Sequence, residues 1–204
     1  MKKYSQREYK RIDCCCFSST KKEFGELSNM SAGFVLEVNG LKILTSEALY
    51  QAMRFTSFPD IQMKIFQEKS PMSAKMISKK YLQKTRVDWE EVKVDIMRWC
   101  LKVKLAQNFI KFGTLLETTY PKEIVELSTK DKFWGARPIE KSNLLIGINA
   151  LGRLLMELRY EYFSENKYGL LKALPLEIDN FKLLDENIGI IDARDTFIQK
   201  IKEL

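Results

Sequence analysis

The chain has no histidine among its 204 residues. That absence removes Ser-His-Asp and Cys-His nucleophile systems, histidine-ligated zinc and every histidine general base together. Any proton transfer therefore falls to Glu, Asp, Lys, Tyr or Cys. Cysteine is scarce: there are four, three of them consecutive (Cys14, Cys15 and Cys16) and Cys100 far away. No Cys-x-x-Cys or metal-type spacing exists, so no metal site is expected. Three adjacent thiols read as part of a buried strand in a reducing compartment. No run of 18 apolar residues occurs, and the opening Met1-Lys2-Lys3-Tyr4-Ser5-Gln6-Arg7 leads into no apolar signal core. The expected localisation is intracellular, in the cytoplasm. No internal repeat or low-complexity segment is visible.

What is present fits a folded domain with an appendage: 45% apolar and 30% charged residues. Thirty-four Lys and Arg against 27 Asp and Glu leave a net charge of +7. This suits an anionic partner such as a nucleotide or nucleic acid, although many basic proteins bind neither.

The chain is organised around Thr45-Ser46-Glu47-Ala48-Leu49-Tyr50-Gln51-Ala52-Met53-Arg54-Phe55. Thr45 or Ser46 is a good N-cap, and Ala, Leu and Met favour the helix that follows. Ala48, Leu49, Ala52 and Met53 form one stripe. Glu47, Tyr50, Gln51 and Arg54 form another at i, i+3, i+4 and i+7. Glu47 falls in the first turn, where free N–H groups and the helix dipole favour its ionised form. Two readings stand: a dipole-complementing Glu on a solvated face, or a carboxylate placed to stabilise positive charge or orient water.

Residues 1–13 read as a loose, basic lead-in, and residues 14–18 as a short buried strand. Residues 34–38 and 41–44 flank Asn39-Gly40, which supplies the positive φ values of a type I′ hairpin turn. Residues 59–68 read as a short helix. Ser70-Pro71 opens another, with Ser70 as N-cap and Pro71 at the first position. Lys75, Lys79 and Lys80 on it are a solvated face or a phosphate contact. Asp88 is expected to cap one long helix over residues 89–116, with Val92, Ile96, Trp99, Val103, Ala106 and Ile110 on its core line. Residues 123–127 read as a second-sheet or edge strand. The following loop, Thr129-Lys130-Asp131-Lys132-Phe133-Trp134-Gly135-Ala136-Arg137-Pro138, holds a Trp either to pin the loop or to serve a site. Residues 144–163 are expected to form a helix, with Gly152 permitting close packing. Beyond about residue 164 the pattern loosens, leaving a strand-like stretch at 188–191 and a basic helix at 196–204.

Three stretches together resemble the NADAR family, whose members include YbiA-like N-glycosidases. They are Phe24-Gly25-Glu26-Leu27-Ser28-Asn29-Met30, Thr45-Ser46-Glu47-Ala48-Leu49-Tyr50-Gln51-Ala52 and Asp131-Lys132-Phe133-Trp134-Gly135-Ala136. Ser70-Pro71-Met72-Ser73-Ala74-Lys75-Met76 and Ile96-Met97-Arg98-Trp99-Cys100-Leu101-Lys102-Val103-Lys104-Leu105-Ala106-Gln107-Asn108 extend the similarity. Leu-Ser-Asn-Met and Trp-Cys-Leu before Lys-Leu-Ala-Gln-Asn look most like NADAR proteins associated with DarT-type toxins, which remove ADP-ribose from guanine in DNA. Other members cleave N-glycosidic bonds in ribosylamino-pyrimidine intermediates of riboflavin synthesis.

The resemblance implies a compact, mostly helical α+β fold with a small sheet and hairpin. It divides the chain into a lead-in (1–13), an N-glycosidase domain (14–163) and an extension of open role (164–204). It implies a reaction without metal or organic cofactor, on ADP-ribosylated single-stranded DNA or an ADP-ribosyl nucleotide, and a DarT-type toxin as cognate partner. Cleaving a ribose C1′–N bond builds an oxocarbenium-like charge, which a nearby carboxylate stabilises. Glu47 suits that role or the activation of water, and Asp131 is the second carboxylate. Trp134 is placed to stack on the base. Lys21, with Lys22 one residue off, matches a lysine of the DarT-linked group that could form a Schiff base with ring-opened ribose; both are otherwise surface charges. Arg54 and Lys75 are candidates for the pyrophosphate and Asn29 for the ribose hydroxyls, with Tyr50 on the same face as Glu47. A catalytically silent ADP-ribose or nucleic-acid binding module is the reading from another class.

Overall fold

Residues 5–203 are described in a computed structural model of the chain. The first four residues of the expected lead-in and the last of the expected terminal helix lie outside them. Seven α-helices occur among the described residues. They are Ser46–Ala52 (α1), Pro59–Phe66 (α2), Pro71–Lys80 (α3), Trp89–Gln107 (α4), Phe109–Thr118 (α5), Ala150–Tyr162 (α6) and Arg194–Lys202 (α7). The longer strands are Arg7–Lys10 (β1), Cys14–Phe17 (β2), Leu36–Val38 (β3), Leu41–Ile43 (β4) and Glu123–Glu126 (β5). Arg137–Pro138 (β6) and Leu144–Gly147 (β7) follow, then the two-residue pairs Lys172–Ala173 (β8), Lys182–Leu183 (β9), Glu186–Asn187 (β10) and Ile191–Asp192 (β11). The fold is α+β. No described helix is long and apolar enough to cross a membrane.

The chain divides into two units that interleave in sequence. The first comprises residues 5–28 and 111–165, the second residues 29–110 and 166–203.

In the first unit β1 pairs antiparallel with β7, Arg7 opposite Gly147 and Lys10 opposite Leu144, and β6 adds to the other edge of β7. The expected loose lead-in is thus partly a strand: Tyr9 points inward and joins Cys14, Val125, Ala136 and Leu145 in a core cluster. The expected helix over 144–163 is corrected for the same reason. Leu144-Leu145-Ile146-Gly147 finds a strand partner in residues 7–10, and the helix starts only after Asn149, whose φ of 53° is left-handed. β2 and β5 pair in parallel, Cys14 opposite Glu123 and Phe17 opposite Glu126, so the cysteine run is the expected strand.

Asn149 then seats α6 on β5. Its Nδ2 donates to the Ile124 carbonyl at 2.8 Å, and its Oδ1 accepts from the Glu126 N–H at 3.1 Å. Gly152, one turn on, lies so close to β5 that a Cβ there would stand 2.1 Å from the Ile124 carbonyl oxygen. Arg159, further along, donates from Nη1 to the Thr119 hydroxyl and the Lys122 carbonyl, each at 2.8 Å.

The second unit holds the hairpin. Asn39 (φ 50°) and Gly40 (φ 71°) make its turn as expected, with Leu36 opposite Ile43. Helices α1, α2 and α3 pack on one another, and α1 also packs on α4. The long helix expected over 89–116 is two helices. Asn108 breaks it, with φ −125° and ψ 41°; its side chain donates to the Lys104 carbonyl at 3.1 Å and competes with the helical ladder. Ile96, Trp99, Val103 and Ala106 are buried, whereas Val92 is half-buried and Ile110, past the break, is exposed. Asp88 makes no side-chain cap; both its oxygens are held by Arg86. At the far end of α4, Gln107 accepts from the Glu37 N–H and donates to the Glu37 carbonyl, both at 2.8 Å.

Residues 166–203 belong to this unit. Phe181 meets Trp99 edge-on at 4.9 Å between centroids, and Gln62 bridges to the Lys182 carbonyl and the Leu184 N–H. The terminal helix puts Phe197 against Phe109.

Replacing Gly152 with Ala is expected to destabilise the protein by about 1–3 kcal/mol through overpacking against β5. Chemical denaturation of the variant checks this, and an unchanged midpoint would contradict the close approach.

Candidate functional site

The carboxylate of Glu47 is set by the start of α1. Thr45 caps the helix, accepting from the Ala48 N–H at 3.2 Å, and the Glu47 N–H itself donates to the Asn29 carbonyl at 3.0 Å. The solvated-face reading is overturned: Glu47 is 6% exposed, and Tyr50 and Gln51 beside it are buried. Packing of α1 against α2, α3 and α4 covers both stripes of a seven-residue helix.

Burial of the charge is offset by specific partners. Gln51 Nε2 donates to Glu47 Oε1 at 2.9 Å. The Ser78 hydroxyl donates to Gln51 Oε1 at 2.6 Å and thereby fixes which way the amide faces. Lys75 Nζ lies 3.6 Å from the same Glu47 oxygen. All of these crowd Oε1, and no described residue donates to Oε2. Two further polar atoms, Oγ of the adjacent Ser46 and Oδ1 of Asn29, whose carbonyl accepts from the Glu47 N–H, are buried without a partner. Buried groups left like this cost about 1–3 kcal/mol each unless a ligand satisfies them.

Tyr50, one turn beyond Glu47, packs on Trp89 at 5.2 Å, and the Arg54 guanidinium carbon lies 4.6 Å from the same Trp89 ring. Burial first, then the neighbouring Glu47 and other groups, pushes the Tyr50 phenol well above its ordinary range. Burial pulls the Arg54 guanidinium down from its usual value, opposed by Tyr50, Glu90 and Glu47. In this unit the structure therefore brings together Asn29, Glu47 and Lys75 of the expected set, and lines up Tyr50 and Arg54 behind them. Gln51, Ser78 and Trp89 were not among the expected residues. The i, i+4 spacing of Glu47 and Gln51 was the available signal for the first.

Lys21, Asp131 and Trp134 belong to the first unit. Lys21 is exposed, and its backbone N–H donates to the Ser19 hydroxyl at 3.4 Å. Lys22 beside it is also exposed. Asp131 Oδ1 accepts from the N–H groups of Phe133 (2.8 Å) and Trp134 (3.0 Å), folding the loop back on itself. The carbonyls of that loop serve α6 in turn. Phe133 and Trp134 accept from the N–H groups of Ala150 and Leu151, donors that the first turn of a helix otherwise leaves free. Trp134 is half-buried, edge-on to Phe133 at 5.0 Å.

Among the described residues no group of three or more Cys, Asp or Glu is arranged to hold a metal ion. The cysteines do not suit nucleophilic work. Burial raises Cys14 to about 12 and pushes Cys15, Cys16 and Cys100 up as well.

The NADAR domain family model matches residues 16–162. The chain belongs to the NADAR family. Among its relatives, the N-glycosidase YbiA of Escherichia coli (strain K12) is 35% identical over 149 residues, covering 73% of this chain and 88% of that protein. A riboflavin biosynthesis protein of Vibrio vulnificus is 33% identical over 148 residues, covering 72% of this chain but 37% of the larger relative. The NMR structure of E. coli YbiA superposes with a TM-score of 0.61 at 33% identity, covering 72% of this chain and 83% of that one. The NADAR match includes all eight expected site residues and ends where α6 ends; residues 166–203 lie outside it.

Because a raised thiol pKa lowers the thiolate fraction, and higher nucleophilicity of the thiolate offsets only part of that, Cys14 at about 12 against an ordinary 9 should alkylate at least about tenfold more slowly than a free thiol at pH 8. Mass spectrometry after native and denaturing iodoacetamide treatment tests this; rapid native labelling of Cys14 would refute it.

Proposed function

We propose that the chain is an N-glycosidase that hydrolyses a ribose C1′–N bond, and that its substrate is guanine in single-stranded DNA carrying ADP-ribose. The observation that carries the reading is the buried Glu47 carboxylate, anchored through Oε1 with Oε2 left open to the reacting centre. Departure of the base leaves positive charge on C1′ and the ring oxygen, and an anion held in a poorly solvated site stabilises that charge strongly. Glu47 Oε2 takes a proton from the attacking water. The water oxygen bonds to C1′, and the C–N electron pair leaves with the base. Membership of the NADAR family and similarity to a protein named N-glycosidase support the reaction class. The net charge of +7 supports a nucleic-acid substrate.

In this reading Arg54 and Lys75 meet the pyrophosphate and Asn29 the ribose hydroxyls. Asp131 acts by holding the Trp134 loop. Lys21 supplies a covalent variant of the same reaction: its amine adds to C1′ of the ring-opened ribose, the base leaves, and water releases the sugar from the imine. A toxin that attaches ADP-ribose to DNA is the partner implied. A second reading, a ribosylamino-pyrimidine phosphate as substrate, is favoured by the similarity to riboflavin biosynthesis proteins.

Wild type incubated with an oligonucleotide carrying ADP-ribosylguanine should release ADP-ribose. Glu47→Gln, which keeps the shape and loses the charge, should be slower by about a hundredfold or more. Borohydride trapping of wild type but not of Lys21→Ala would establish the imine route. Release by Glu47→Gln at the wild-type rate would sink the mechanism. Turnover of ribosylamino-pyrimidine phosphate alone would transfer the assignment to the second reading.

A further inference from the structure

A cleft of about 400 Å³ opens within the second unit, lined by residues after α1, residues ahead of α4, and Asp179 and Asn180. Those last two come from the segment beyond the family match.

The cleft is rich in unspent donors. The Arg86 side chain is 6% exposed; its Nε and Nη2 grip the two oxygens of Asp88 at 2.6 and 2.8 Å, and Nη2 also reaches the Asp179 carbonyl at 2.6 Å. Its Nη1 is buried with no partner, and so is Nε of Arg54. Lys84 Nζ sits 4.7 Å from the centre of the Phe58 ring. Asn180 Nδ2 donates to the hydroxyl oxygens of both Thr56 (3.1 Å) and Ser57 (2.8 Å). A hydroxyl that accepts in this way keeps its own proton to give. Two carboxylates line the cleft: Asp88, with both oxygens engaged by Arg86, and Asp179. Paired guanidinium donors with neighbouring hydroxyl protons match the tetrahedral array of phosphoryl oxygens.

We propose that this cleft is a phosphoryl subsite, completed by the C-terminal segment, that receives the 5-phosphoryl group of the ribose whose C1′–N bond is cut. The assignment rests on the N-glycosidase reading for its link to Glu47. Arg54 follows Glu47 by seven residues on one helical run, about 10 Å along the axis. The two side chains leave the same face two turns apart, which puts C1′ at the carboxylate and phosphorus at the guanidinium in this proposal.

Calorimetric titration with ribose 5-phosphate, ribose and inorganic phosphate tests the subsite without any turnover. The informative variant is Asn180→Asp. Asp tolerates the left-handed backbone at this position (φ 52°) but turns both hydroxyls into its own donors and adds a negative charge. Lys84→Gln, on an exposed side chain, guards against misfolding of the first variant. The expected result is that wild type binds ribose 5-phosphate, that each variant binds it at least about tenfold more weakly, and that ribose binding does not change. Equal affinity in wild type and both variants would overturn the proposal, as would binding of inorganic phosphate alone. Loss of glycosidase activity on every substrate with the ribose 5-phosphate pattern intact would remove the function and leave the subsite.

Discussion

A carboxylate with almost no access to water must be held by other groups, and much of the second unit is arranged to hold one. Bringing Glu47 out of solvent costs several kcal/mol before compensation. That cost is met by the helix start, the Gln51 amide and the Lys75 ammonium. Each of these depends on something else. The helix start depends on the Thr45 cap, the amide on the Ser78 hydroxyl, and Ser78 and Lys75 both on a second helix that begins where Ser70 accepts from the Ser73 N–H.

The parts of the fold that were legible were those with local chemical signatures. Asn39-Gly40 dictated its turn, Thr45 and Ser70-Pro71 their helix starts, and the cysteine run its strand. Where the outcome depended on a distant partner, local pattern misled. Leu144-Leu145-Ile146-Gly147 is as apolar as a buried helical turn, and it is pairing with residues 7–10 and 137–138 that makes it a strand. Asp88 is a good cap in isolation, but Arg86, two residues earlier, takes both its oxygens. Asn108 looks harmless within a long apolar repeat until its amide finds the Lys104 carbonyl. The candidate site shows the same division. Position and charge of Glu47 could be read from spacing, whereas its burial arises from three neighbouring helices and could not.

The Asp131 stretch shows how a recurrent pattern can have a mechanical basis. Its carboxylate organises two backbone donors, and the loop so formed supplies carbonyl acceptors to the start of α6. Any chemical role of Trp134 depends on that arrangement, because the indole is presented from the loop that these bonds hold.

The two amides that flank the short sheets have a further consequence. A two-stranded sheet exposes open ladder positions on its outer edges, and such edges recruit strands from other molecules. Asn149 fills ladder positions of β5 with its side-chain oxygen and nitrogen, and Gln107 does the same for Glu37 in β3. Each side chain stands in for a short stretch of missing strand. The chain thus closes part of two aggregation-prone borders at the expense of one residue apiece, and the same contacts tie a helix terminus to each.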